Sequence, residues 1–276
     1  MRELISQKLT GQARVVNDKL LNSRTAQIIS DFRDELATAQ TPESIRLIES
    51  QAGAAYWSAW HNLAINFPRN DLRRVPDHWR VFGTRISPLS GSPRSAASPA
   101  NAMLNYLYAI LESEVRLGSA ILGLDPGLGM LHTDKPNRDS LACDLMEPIR
   151  PQIDAYVWDW ITREYLKREW FFEQRNGNCR LMGPFAVQLA ESTLTWGRAV
   201  APIAEWVVRE LWSTTSKPGQ SVPAARLTQR HRREAKGRVL PSLARNSVTL
   251  PVPTPKLATQ IFAPSKASQK GEVPAS

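Results

Sequence analysis

An all-α fold is what this sequence predicts, on three observations. Apolar residues recur at three- and four-residue intervals through most of the first 212 positions. Helix-start and helix-stop residues punctuate those runs. Nowhere do apolar and polar residues alternate over enough positions to suggest a sheet. The expected organisation is one helical domain over residues 1–212 and a basic, proline-containing tail over 213–276, expected to be disordered.

Residues 3–36 carry Leu4, Ile5, Leu9, Val15, Val16, Leu20, Ile28, Ile29, Phe32 and Leu36 at helical spacing, one or two amphipathic helices with Gly11 as a break point. Thr41 reads as an N-cap with Pro42 in the first turn and Glu43 at the positive end of the dipole, opening a helix to about Ile65. Pro68, Pro76, Pro88, Pro93 and Pro99 make 66–100 a long loop with one short element near Trp79 and Phe82. Met103, Leu104, Leu107, Ile110, Leu111, Val115 and Ile121 restore the helical period from Ala100 to about Leu122. A glycine-punctuated turn follows, and Leu128 to Leu131 reads as extended. Another helix opens near Ser140 and runs to about Phe172, interrupted by Pro148 and Pro151. The last covers 183–212. In the tail only Ala224 to Gly237 reads as helical.

With 276 residues and 42% apolar content the chain can bury a sizeable core. No apolar run reaches 18 residues and no charged stretch precedes a long apolar one, so neither a membrane span nor a signal peptide is indicated, and a cytoplasmic location is expected. Cys143 and Cys179 have no CxxC partner and no histidine at zinc-ligand spacing, which leaves reduced thiols. The net charge of +9 is local. From Ser213 onward there are 11 Lys/Arg against Glu234 and Glu272, while residues 1–212 carry 24 charges of each sign. All nine tryptophans precede residue 213, and the tail's one aromatic is Phe262.

Three sets of residues carry possible chemistry. Glu49 shares a helix face with Ile45, Ala52 and Tyr56, where burying a carboxylate is costly unless a cation or metal answers it. The alternative is a boundary glutamate paired with a basic residue or tipped to solvent. His132 ends the segment Leu124-Asp125-Pro126-Gly127-Leu128-Gly129-Met130-Leu131, which delivers the imidazole from a short rigid turn; the alternative is a structural histidine. Asp144 and Glu147, at i and i+3, point two like charges from one helix face. They read either as metal ligands or as carboxylates at a helix N-terminus, with Glu147 paired to Arg150. Two or three carboxylates with one imidazole make a hard-oxygen site suited to Mg²⁺ or Mn²⁺, ions that can polarise a phosphodiester.

The order of four segments carries a resemblance: Ile48-Glu49 with Ala52, Tyr56 and Trp57; Asn101-Ala102-Met103-Leu104-Asn105-Tyr106-Leu107-Tyr108; Leu124 to His132; and Ser140 to Pro151. Together they resemble the catalytic domain of the CRISPR-associated spacer-acquisition integrase, also called the CRISPR-associated endonuclease, over roughly residues 3–212. The resemblance implies a metal-dependent DNA endonuclease and integrase that joins the 3′ ends of captured double-stranded DNA to a repeat array. It implies Glu49, His132 and Glu147 as metal ligands with Asp144 as the neighbouring acid, and Mg²⁺ or Mn²⁺ as cofactor. It also implies a homodimer and a small ferredoxin-like partner. The family usually begins with a β-rich dimerisation domain, whereas Met1 here lies at the first helix of the catalytic domain. The expectation is that this domain is missing, which puts dimer and partner docking in question and leaves a silent DNA-binding or assembly subunit as the alternative. Ser50 and Ala54 stand where the family commonly has glycine and arginine. The tail segment Leu227 to Arg233 is similar to extensions in some relatives, and its expected contribution is sequence-independent attraction to phosphates.

Overall fold

The computed structural model describes residues 1–132 and 139–215. Eight helices carry that part: α1 (Arg2–Asp18), α2 (Ser23–Glu35), α3 (Pro42–Trp60), α4 (Pro99–Ile121), α5 (Ser140–Met146), α6 (Arg150–Arg163), α7 (Gly183–Ala190) and α8 (Thr193–Thr215). The tail, with the stretch 224–237 expected to be helical, lies outside the described residues. No helix among the described residues is long and apolar enough to cross a membrane.

Helix α1 packs on α2, α3 and α6, and α4 packs on α5, α6 and α8, so α6 joins the two groups. Trp60, Trp79, Trp160 and Trp196 are fully buried at the centre. Stacked rings fasten the long loop and the C-terminal part to that centre, Trp57 on Phe82 at 5.8 Å and Trp170 on Phe185 at 4.4 Å.

Several boundaries differ from the sequence expectation, each for a local reason. Gly11 lies inside α1 and is no break; a Cβ there would fall 2.8 Å from Cβ of Pro151, so the glycine sets how closely α1 approaches α6. The break comes at Leu20 and Leu21, after which the Asn22 side chain accepts from Thr25 N at 3.0 Å and caps α2. Thr41 caps α3 as expected, in a reciprocal pair with Ser44. That helix stops at Trp60 rather than Ile65. The amide of Phe82 donates to Leu63 O and that of Ile65 to Arg80 O, both at 2.9 Å, so this backbone pairs with the loop instead of continuing the helix.

The helix expected to reach Phe172 splits at Pro148 and then ends at Arg163. Asn66, nearly a hundred residues away, donates its amide to Ile161 O at 3.0 Å and its side chain to Thr162 O at 2.7 Å, taking carbonyls that a longer helix would use. Beyond it a small antiparallel hairpin appears, β1 (Phe171–Glu173) paired with β2 (Cys179–Leu181), where no strand was expected. Its strands are only three residues long, too short to show alternation, and Gly177 at φ 81° makes the turn. The 183–212 helix is also two, because Ser192 donates to Leu189 O at 2.6 Å and accepts Trp196 Nε1 at 2.7 Å between them. Leu128 to Leu131 is irregular backbone with a bend at Met130 and Leu131 rather than a strand.

Candidate functional site

Three of the four residues singled out from sequence sit on separate elements: Glu49 on α3, His132 at the end of the turn before α5, and Glu147 at the α5–α6 junction. The turn is built from its sequence. Asp125 accepts the Gly127 amide at 2.8 Å, and the Pro126 carbonyl accepts the first amides of α5, Leu141 at 2.9 Å and Ala142 at 3.2 Å. Gly129 is needed for close approach, since a Cβ there would lie 2.5 Å from both His132 O and Ser140 Cβ.

Asp144, 1% exposed, is turned into the loop that carries His132. Its Oδ2 accepts the amides of Met130 (2.5 Å) and Leu131 (2.8 Å), and its Oδ1 accepts the amide of His132 (3.0 Å) and faces His132 Nδ1 (2.6 Å). A carboxylate that accepts so many N–H groups only accepts, so Nδ1 carries the proton and Nε2 is the ring nitrogen with a lone pair in the neutral imidazole. On its other side the turn is tied to α3, with Arg46 Nε donating to Leu131 O at 2.7 Å.

Glu147, 2% exposed, turns instead toward α1. Lys8, itself 6% exposed, places its ammonium against Glu49 Oε1 and 2.6 Å from Glu147 Oε2, while Arg150 Nε lies 3.4 Å from Glu147 Oε1. The two ion pairs of Glu147 are close but poorly directed: neither its Oε2 nor Arg150 Nε has an aimed hydrogen-bond partner among the described residues. Burial favours the neutral acid, but Arg150, then Lys8, then His132 outweigh it and hold the Glu147 carboxyl well below its ordinary range. The alternatives raised for Glu49 and Glu147, pairing with a basic residue and with Arg150, therefore describe real contacts of this fold.

A second buried cluster braces the first. Asp154 on α6 accepts the Tyr56 hydroxyl at 2.9 Å and the Tyr108 hydroxyl, tying α3, α4 and α6 at one point. Arg150 lies over the Tyr108 ring at 5.1 Å, and Arg85 lies over Trp57 and Tyr108 while donating to Asn105 Oδ1 at 2.8 Å. Asn101 in turn donates to the carbonyls of Phe82 and Thr84, both at 3.2 Å, which lashes the long loop to α4.

Sequence reasoning passed over Lys8, Arg46 and Asp154. For Lys8 a signal existed: it follows Leu4 by four residues and Ile5 by three on the apolar face of α1, the same anomaly that marked Glu49. The donor set of Glu49, Glu147 and His132 Nε2 suits a hard divalent ion, and the cation that now answers both carboxylates is Lys8. These groups do not converge on one point: no three His, Cys, Asp or Glu side chains among the described residues are gathered closely enough to hold a metal ion. Neither Cys143 nor Cys179 forms a disulfide among the described residues.

Comparison with known proteins places this chain in a family. CRISPR-associated endonuclease Cas1 1 of Archaeoglobus fulgidus is 39% identical over 135 residues, which is 49% of this chain and 35% of the relative. Cas1 2 of Pyrobaculum aerophilum is 35% identical over 132 residues, 48% of this chain and 37% of the relative. The chain thus aligns with little more than a third of those relatives' length. Two solved structures share the fold: a casposase bound to integration product (TM-score 0.61, 24% identity, 81% of this chain and 66% of that one), and the Cas1 protein of Thermotoga maritima (TM-score 0.59, 18% identity, 80% and 66%). The model of the family described as CRISPR associated protein Cas1 matches residues 1–189, well over half of the sequence, and the chain belongs to that family.

Proposed function

We propose that this chain carries the metal-dependent endonuclease and strand-transfer centre of CRISPR spacer acquisition, with Glu49, His132 and Glu147 as ligands of Mg²⁺ or Mn²⁺. The observation that carries the reading is the pairing of two half-sites. Glu49 and Glu147, from different elements, meet at one cation, and beside them His132 is held by Asp144 with Nε2 left for a ligand. A divalent ion bound there would supply Lewis-acid polarisation of a phosphodiester and activation of a water or a 3′-hydroxyl. The protein's part is orientation. Asp144 fixes the imidazole's tautomer and direction, Arg46 holds the turn against α3, and Arg150 keeps Glu147 ionised.

The substrate on this reading is double-stranded DNA, whose ends are joined into a repeat array. Relatives support that class: one neighbour in fold is a casposase bound to integration product, and others are parts of Cas6-RT-Cas1–Cas2 complexes. A homodimer and a small ferredoxin-like partner belong to the same proposal. The basic tail, outside the described residues, adds phosphate attraction through its 11 Lys/Arg.

A silent DNA-binding or assembly subunit is the second reading, and one observation favours it. The two carboxylates already have a cation in Lys8, which a purely structural site would also show. Mn²⁺-dependent cleavage of branched or double-stranded DNA, compared with Glu49→Ala and His132→Ala, separates the two. Equal background in all three leaves the silent reading.

A further inference from the structure

Lys8 is an unusual neighbour for two metal ligands. It comes from α1, it is buried, and its one ammonium bridges Glu49 and Glu147. With Arg150 also beside Glu147, the cluster holds two cations and two carboxylates and is already neutral. A divalent ion added with Lys8 in place would compete for the same oxygens and leave two excess positive charges in a space with little water to screen them. Arg150 is stacked over Tyr108 and, among the described residues, forms an ion pair with Glu147 and no second carboxylate, so it can stay. Lys8 has a flexible four-carbon stem, and the Glu49 side chain, 27% exposed, marks the side of the cluster open to solvent.

We propose that the Lys8 ammonium is a built-in competitor of the catalytic ion: it holds Glu49 and Glu147 together in the metal-free protein, and metal binding requires it to swing out. The inference rests on the metal-ligand reading above and adds a step to it, the exchange of one cation for another between the same two carboxylates. A consequence is that the two ligands furthest apart in sequence are kept in register before any ion arrives.

Two measurements on the full chain test this, with MnCl₂ alone as the probe. Isothermal titration compares affinity in the wild type and Lys8→Met. Reductive methylation followed by peptide mass spectrometry reads whether Lys8 is reachable, and it needs no variant. The expected result is Mn²⁺ binding that is roughly tenfold tighter in Lys8→Met. In the wild type, Lys8 should be protected without metal and become methylated over the Mn²⁺ range that saturates the titration. If Mn²⁺ binds the wild type while Lys8 stays protected, and Lys8→Met binds no tighter, the inference is overturned and the metal reading survives. If neither protein binds Mn²⁺, both are overturned. If Lys8→Met does not fold, the labelling of the wild type decides alone.

Discussion

His132 Nδ1 stands 2.6 Å from Asp144 Oδ1, and the same carboxylate gathers the backbone amides of Met130, Leu131 and His132. One buried acid therefore shapes the turn and aims the ring at its end. Asp144→Asn leaves a side chain of the same size but offers an NH₂ where a donor already points. Expected outcomes are cleavage slowed by roughly 10- to 100-fold and a fold weakened by about 2 kcal/mol. Steady-state cleavage and urea denaturation measure the two, and full activity in the variant would remove the orienting role.

The acid dependence of stability has two opposed parts. Glu147 is held well below its ordinary value of 4.5, so its contribution is complete above that pH and is lost as pH falls. Asp154 goes the other way. Burial pushes its carboxyl from 3.8 up to about 6 against the pull of the Tyr108 and Tyr56 hydroxyls, so its contribution is full below pH 3.8 and is lost as pH rises through about 6. Comparing wild type with Asp154→Asn isolates the second part: the stability difference should shift by up to about 3 kcal/mol against the wild type between pH 4 and 7. A difference flat with pH would show that Asp154 ionises at its ordinary value.

Gly129 and Gly11 are both positions where a methyl group meets something rigid. Gly129→Ala drives a Cβ into the His132 carbonyl, and Gly11→Ala drives one into the Pro151 ring. Each should cost about 1–3 kcal/mol. They differ in function. Gly129→Ala also displaces His132 and should lower cleavage at temperatures where the protein is still folded, whereas Gly11→Ala should lower the unfolding midpoint with little change in rate. Thermal unfolding beside cleavage at low temperature separates them.

Deleting residues 216–276 removes 11 Lys/Arg and two acids from a chain whose remainder is close to neutral. The slope of log affinity for duplex DNA against log salt should become shallower by several units, since each lost phosphate contact lowers it by about 0.9. An unchanged slope would place the phosphate contacts within residues 1–215.

What the sequence could reveal follows the range of each interaction. The start of α3 is written in Thr41 and Pro42, and α4 in its own apolar period, so both were legible. The end of α6 depends on Asn66, which borrows two carbonyls from another part of the chain, and no local pattern records that. Three-residue strands carry too few positions to show a period. At the site, Glu49 stood out because a carboxylate on an apolar face calls for a partner. Lys8 carries the same signal with the opposite sign, and matching the two anomalies pairs α1 with α3. The i, i+3 spacing of Asp144 and Glu147 did not reveal their separate partners, His132 for the one and Lys8 for the other.

The central claim, that Glu49, Glu147 and His132 hold a catalytic divalent ion, is tested most directly by the purified chain's cleavage of branched DNA in Mn²⁺. Wild type should cleave, EDTA should abolish the activity, and Glu49→Ala, His132→Ala and Glu147→Ala should each fall to the EDTA background while remaining folded by circular dichroism. Cleavage that persists in any of the three folded variants at the wild-type rate would contradict it.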